Sequence, residues 1–280
     1  MRTDLAIETP SFNSAHPLER KIKRKCKHFV EKISLKIENR QEEEAVSKPM
    51  GDYITLKFRD VLKFDDAEEI EELIIEALKE LNGQNFENIL VVGLGNEEIT
   101  SDAVGPKIAK KILATRHIEK AFAEKIGLKG LRSVSVISPD VLGKTGIETL
   151  EIVKGVANRV SPDLIIVVDA LAAASFKRLF STIQLCNTGI SPGSGVKNER
   201  KELSEKTLGV PVIAIGVPTV VDAVSLGYEL TGKEPLLESD LIVTPKDADI
   251  LCHKISEIIS SALNFFLQPE IDREVIKALV

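Results

Sequence analysis

No tryptophan occurs among the 280 residues, and Phe and Tyr bring the aromatic share to only 4%. Few flat rings are available to stack on bases or sugars, so single-stranded nucleic acid and carbohydrate are poor candidate ligands. Positive charge is not in excess either, the net charge being −6. Phosphate backbones and anionic lipid meet no attracting field, and neither nucleic acid nor a membrane is an expected partner. Uninterrupted apolar stretches such as 164–168 and 210–217 fall far short of the roughly 20 residues needed to span a bilayer. Three cysteines, Cys26, Cys186 and Cys252, cannot all pair within one chain. The sequence also opens without an apolar signal region, so a reducing cytoplasm is the expected compartment. The four histidines are scattered, with no two at metal-ligand spacing and no Cys-x-x-Cys, so no metal or other cofactor is expected.

What is present is a chain 43% hydrophobic and 29% charged, patterned in alternating short apolar runs and amphipathic stretches. Strands are expected at 53–58, 89–93, 134–137, 164–168, 182–186 and 212–216. Helices are expected at 65–81, 104–115, 146–160 and 246–266. Such alternation specifies an α/β protein with three layers, helices covering both faces of a mostly parallel central sheet. Residues 1–50, with a basic run at 20–27 and an acidic run at 38–44, read as a charged N-terminal segment. Residues 51–267 read as one α/β domain, and 268–280 as a C-terminal tail.

Three motifs tempt and fail. Gly93 and Gly95 follow a strand as in a dinucleotide fingerprint, but Glu98 stands where the third glycine belongs and would repel a pyrophosphate. Gly143, Lys144 and Thr145 resemble the end of a phosphate loop that lacks its opening glycine. Ser191 between Gly189 and Gly193 has nucleophile-elbow spacing, yet Pro192 removes the amide expected after the nucleophile and no helix follows.

Chemistry in such folds gathers beyond the carboxyl ends of the strands. Two carboxylates stand there. Asp102 lies in a loop that leaves the 89–93 strand and reaches a helix, where it serves either as a catalytic group or as the cap of that helix. Asp169 follows the apolar run 164–168. Two carboxyls brought together cannot both ionise cheaply, so such a pair holds one proton near neutral pH, one member activating water and the other hydrogen-bonding a scissile carbonyl. Asp222, after 213–218, and Glu148, in 145–149, are further carboxylates that read as a helix-end holder and a supporting partner or first-turn charge.

These blocks also resemble a known family. Residues 2–6, 91–96 with 102–106, 145–149, 162–173, 189–195, 209–224 and 241–246 are similar, in order, to the germination (spore) protease of endospore-forming bacteria. The resemblance implies an atypical aspartic endopeptidase that degrades small acid-soluble spore proteins during germination, in the spore core. It places the two catalytic aspartates at Asp102 and Asp169 and implies a homotetramer; Asn96, Glu148 and Asp222 are read as supporting residues, and no metal is expected. Substrates of the family are cut after an acidic and before an apolar residue, with Ala and then Glu following. Thr3, Asp4, Leu5, Ala6, Ile7 and Glu8 repeat that pattern, so a self-processing zymogen cut between Asp4 and Leu5 is expected, residues 1–4 being the propeptide. The family pattern is longer between the Asp222 region and Val243, has Arg where this chain has Ala174, and has a different polar residue at Ser191.

Gly93, Gly95, Asn96, Asp102, Gly105 and Pro106 are similar as well to the hydrogenase-maturation endopeptidases, a related α/β fold. That resemblance implies a metal held by Glu97 or Glu98, Asp169 and a histidine such as His117. A third reading is a non-enzymatic oligomer whose 189–195 loop binds an anion.

Overall fold

Three strands rich in β-branched residues, 88–93, 164–173 and 212–222, build the middle of the sheet, and their side chains are buried on both faces. The computed structural model describes residues 3–8, 22–27, 29–59, 61–62, 64–81, 85–191, 201–233 and 239–280. In chain order the elements are β1 (Lys23–Lys27), β2 (Val30–Ile37), α1 (Arg40–Val46), β3 (Gly51–Lys57), α2 (Phe64–Leu81), β4 (Asn88–Gly93), α3 (Val104–Ala109), α4 (Lys120–Lys125), β5 (Ser133–Ile137) and α5 (Leu142–Thr145). There follow α6 (Thr149–Val160), β6 (Leu164–Ala173), β7 (Thr182–Cys186), α7 (Glu205–Leu208), β8 (Val212–Asp222), α8 (Ala223–Thr231), β9 (Ile242–Val243), α9 (Ala248–Leu267) and α10 (Arg273–Leu279).

The strand order is β1-β2-β3-β7-β8-β6-β4-β5, with β9 added to β8. The core strands β5, β4, β6 and β8 run parallel, and the flank from β8 through β7 and β3 to β1 is antiparallel. Ile89, Val91, Ile166 and Val168 face Ile70, Ile74 and Leu78 of α2 and Ile255 and Ile259 of α9. Their alternates Leu90, Val92, Ile165 and Val167 face Val153 and Ala157 of α6. This is the expected α/β/α layering with a parallel core. Each such side chain, fully removed from water, contributes about 1.5–3 kcal/mol. Helix α9 is long and apolar enough to cross a membrane by length and composition, but most of it is buried against α2 and α3.

The structure departs from the sequence reading at several places. Residues 23–37, taken as part of a charged segment, form two strands of the same sheet. Leu35 and Ile37 are buried, and Lys32, 5% exposed, reaches Glu76 at 3.2 Å and Glu80 at 2.6 Å on α2. The acidic run 38–44 largely becomes α1, capped by Asn39, whose side chain accepts the Glu42 amide. The expected tail carries α10, capped by Asp272, and Ile271 and Ile276 join the core. Helix α3 stops at Ala109 rather than near 115. Strands β6 and β8 run on past the apolar stretches that identify them, pairing to Ala173 and Val221 around a bulge after Leu171. Asp169 is therefore inside a strand rather than at its end, and the bulge accommodates Pro218, which has no amide to give.

Candidate active site

The loop from β4 to α3 is pinned by close backbone contacts that only glycine allows. Leu94 donates its amide to the Val168 carbonyl at 2.8 Å, extending the β4–β6 pairing by one residue. A Cβ on Gly105 would lie 2.2 Å from the Leu94 oxygen and 2.6 Å from the Val168 oxygen, so the start of α3 rests directly on both strands. Gly95, with φ +114°, turns the chain so tightly that its Cβ would meet the Asp102 carbonyl at 2.0 Å. Gly105→Ala is expected to push α3 off β6 and carry Asp102 with it. The cost is about 1–3 kcal/mol of stability, with a disproportionate loss of turnover; thermal melts and steady-state kinetics on the same preparation check it.

Asp102 closes a 3₁₀ turn, Thr100–Asp102, and does not cap α3: Ala103 holds the cap position and makes no side-chain cap. Its carboxylate turns back and accepts the Asn96 amide at 2.8 Å, while the Asn96 side-chain oxygen accepts the Glu98 amide at 3.0 Å. Asp169, 5% exposed, accepts the amide of its own successor Ala170 at 2.9 Å. Asp102 and Asp169 line the same cleft, of about 260 Å³, whose walls include Leu94, Ile99, Leu171 and Val220.

Two more carboxylates share that cleft. Asp140 follows β5, holds a left-handed backbone at φ 62°, accepts the Val141 amide and lies 3.5 Å from Lys144. The sequence reading treats 138–145 only as a failed phosphate loop, although applying the strand-end rule to β5 as well as to β4 and β6 would have found it. Asp4 is the other. Its amide donates to the Ala172 carbonyl at 2.9 Å, and its carboxylate accepts the Ala172 amide at 2.8 Å. Leu5 beside it is completely buried against Leu171 and Ala173. The bond expected to be cut in self-processing thus lies along the strand that carries Asp169.

The remaining candidates sit outside the cleft. Asp222 caps α8, accepting the Ser225 amide at 2.8 Å and the Ser225 hydroxyl at 2.5 Å, and Thr219 takes no part in that cap. The Thr219 hydroxyl instead donates to the Ser101 carbonyl at 2.6 Å, tying β8 to the Asp102 turn. Glu148 stands at the start of α6 without capping it; among the described residues its buried Oε2 has no hydrogen-bond partner, while its neighbour Thr149 lines the cleft. The metal set of the second resemblance is not assembled: Glu97 pairs with Lys110, Glu98 with Lys144 at 3.1 Å, and His117 is exposed. Of the 189–195 loop, residues 192–195 lie outside the described residues. Burial pushes the thiols of Cys186 and Cys252 up, away from the thiolate form a cysteine nucleophile needs.

A parallel α/β core with a carboxylate-lined cleft past the ends of β4 and β5 and along the second half of β6 is the layout in which α/β enzymes bind their ligands. A family model described as germination protease matches residues 13–231. Germination proteases of Clostridium tetani and Caldanaerobacter subterraneus are each 40% identical to this chain, over 99% and 100% of it and 98% of each relative. That of Priestia megaterium is 35% identical over 98% of this chain and 95% of its own. A solved NiFe hydrogenase maturation protease of Thermococcus kodakarensis aligns with TM-score 0.39 and 16% identity, over 67% of this chain and 98% of its own. The chain belongs to the germination protease family, and its activity is that of a spore germination peptidase.

Proposed function

We propose that this chain is an aspartic-type endopeptidase that degrades small acid-soluble spore proteins in the cytoplasm of the germinating spore. It works as a homotetramer and is made as a zymogen that cuts itself between Asp4 and Leu5. The observation that carries the reading is the placement of Asp4 in the cleft that Asp102 and Asp169 line, with Leu5 buried directly beyond it. A chain segment with the acidic-then-apolar pattern of a substrate lies where a substrate would.

In this mechanism the two carboxyls share one proton. The ionised member takes a proton from water as that water attacks the carbonyl carbon of the acidic residue, and the protonated member hydrogen-bonds the carbonyl oxygen. The tetrahedral intermediate then collapses, the C–N bond breaks and the departing amine takes up the proton. The shared proton belongs to the pair, so the acid and base roles attach to the two together. Asn96 supports the pair by donating its amide to Asp102, Asp222 supports it by fixing the end of β8, and Glu148 is assigned a supporting place at the start of α6, next to the cleft residue Thr149.

Because carboxylates activate the water directly, cleavage of a purified spore protein is expected to proceed at an unchanged rate after exhaustive chelation. Loss of turnover on chelation, restored by one equivalent of nickel or zinc, would favour the maturation-endopeptidase reading.

A further inference from the structure

Residues 3–8 are held as a bound peptide would be, by a strip of surface made of β6 from Leu171 to Ala173, the turn that follows it, and Gln184 on β7. Gln184 reads the backbone of the segment twice. Its Oε1 accepts the Ala6 amide at 2.7 Å, and its Nε2 donates to the Asp4 carbonyl at 3.3 Å. Leu5 fills an apolar slot on Leu171 and Ala173. On the far side of Asp4, the Lys48 ammonium lies 3.4 Å from the Thr3 carbonyl.

Glu8 is bound most completely. Its side chain is 5% exposed, and its carboxylate accepts the Ala174 amide at 2.7 Å, the Ser175 amide at 3.2 Å and the Arg178 Nε at 2.8 Å. The Thr3 hydroxyl donates to it as well, at 2.5 Å. A carboxylate withdrawn this far from water is stable only where donors replace its hydration. Three of these donors belong to one short turn, and that turn is fixed from behind: Glu229 accepts the Ser175 hydroxyl at 2.8 Å and the Phe176 amide at 3.0 Å. The turn that supplies these three donors is therefore held by contacts outside the segment it binds. Arg178 keeps a buried Nη1 with no hydrogen-bond partner among the described residues. Ala174, where the family resemblance leads one to expect Arg, contributes its amide here.

We propose that this strip is the substrate channel on the leaving-group side of the scissile bond, and that Arg178 is its specificity-determining residue. A peptide is read there by an apolar residue directly after the cut, seated where Leu5 lies. It is read again by a carboxylate three residues further on, seated where Glu8 lies. In the full chain, residues 4–8 occupy the channel in cis and exclude peptides in trans. The assignment of sides rests on the reading that the bond after Asp4 is the one cut, whereas recognition of the carboxylate by Arg178 does not.

The test uses the full chain carrying Glu8→Gln, which loosens the segment held in cis, and two fluorescent hexapeptides, Thr-Asp-Leu-Ala-Ile-Glu and the same peptide ending in Gln. Binding is read by anisotropy with Asp169→Asn added, and cleavage is read separately in the chain that keeps Asp169. The Glu peptide is expected to bind roughly tenfold or more tightly than the Gln peptide, because the side-chain amide carries no charge for Arg178 and offers one acceptor oxygen in place of two. Arg178→Gln should erase that difference by weakening only the Glu peptide, and Arg178→Lys should restore part of it. Restoring Glu8 should weaken binding of the Glu peptide. Equal binding of the two peptides, binding of neither, or a Glu preference that survives Arg178→Gln would overturn the proposal. Glu-dependent binding without any cleavage would support the channel and count against the peptidase mechanism alone.

Discussion

Asp102→Asn and Asp169→Asn are each expected to abolish peptide-bond cleavage while leaving the fold intact. The Asn side-chain oxygen can still accept the Asn96 amide at position 102 and the Ala170 amide at position 169, so the loop and strand keep the contacts that shape them. What an amide cannot do is take or share the proton. Loss of a general acid or base reduces turnover by about 10²–10⁴, and a pair acting on one proton should fall toward the upper end. The double variant should be little worse than either single one, because members of one catalytic unit lose activity together. Single-turnover kinetics with a spore-protein peptide, alongside circular dichroism and thermal melts, check both halves of the statement. Turnover like that of the unsubstituted chain in either variant would remove that residue from the mechanism.

Self-processing between Asp4 and Leu5 is expected to quicken as pH falls into the mildly acidic range. A pair that shares one proton near neutral pH gives it up as pH rises further, so the hydrogen-bond donor is present in more molecules at mildly acidic than at alkaline pH. The segment needs no bimolecular encounter, since Asp4 is already paired to Ala172 on the strand that carries Asp169. Leu5→Asp should slow the cut on the order of 100-fold or more, because the slot on Leu171 and Ala173 offers a charge no partner. Processing rates of the two chains across pH, read by intact mass, check the pH trend and the role of the slot together.

The parallel core was legible because a strand buried on both faces needs an unbroken apolar run, and 89–93 and 164–168 are such runs. The flank was not. In β2 the buried Ile33, Leu35 and Ile37 alternate with Lys32, Ser34 and Lys36, and the basic run 20–27 and acidic run 38–44 on either side drew attention to charge rather than to the period of two. Lys32 is itself buried, its ammonium carried out to Glu76 and Glu80, which no local pattern reveals. Asp102 and Asp169 could be picked out because each follows an unbroken apolar run of the core, but the means of uniting them could not. That depends on Gly93, Gly95 and Gly105 letting three backbones touch, and on Thr219 tying β8 to the Asp102 turn. Asp140 was overlooked because its turn was weighed as a phosphate loop. The receptor for Glu8 was invisible, since Arg178, Ser175 and Glu229 are brought together with an N-terminal segment more than 160 positions away.

The most direct test is the intact mass of the purified full chain after incubation at mildly acidic pH, beside the Asp102→Asn variant treated in the same way. The expected result is loss of residues 1–4 from the first and an unchanged mass for the second. A chain that keeps residues 1–4 and still digests a spore protein at full rate, or an Asp102→Asn chain that trims itself normally, would contradict the account.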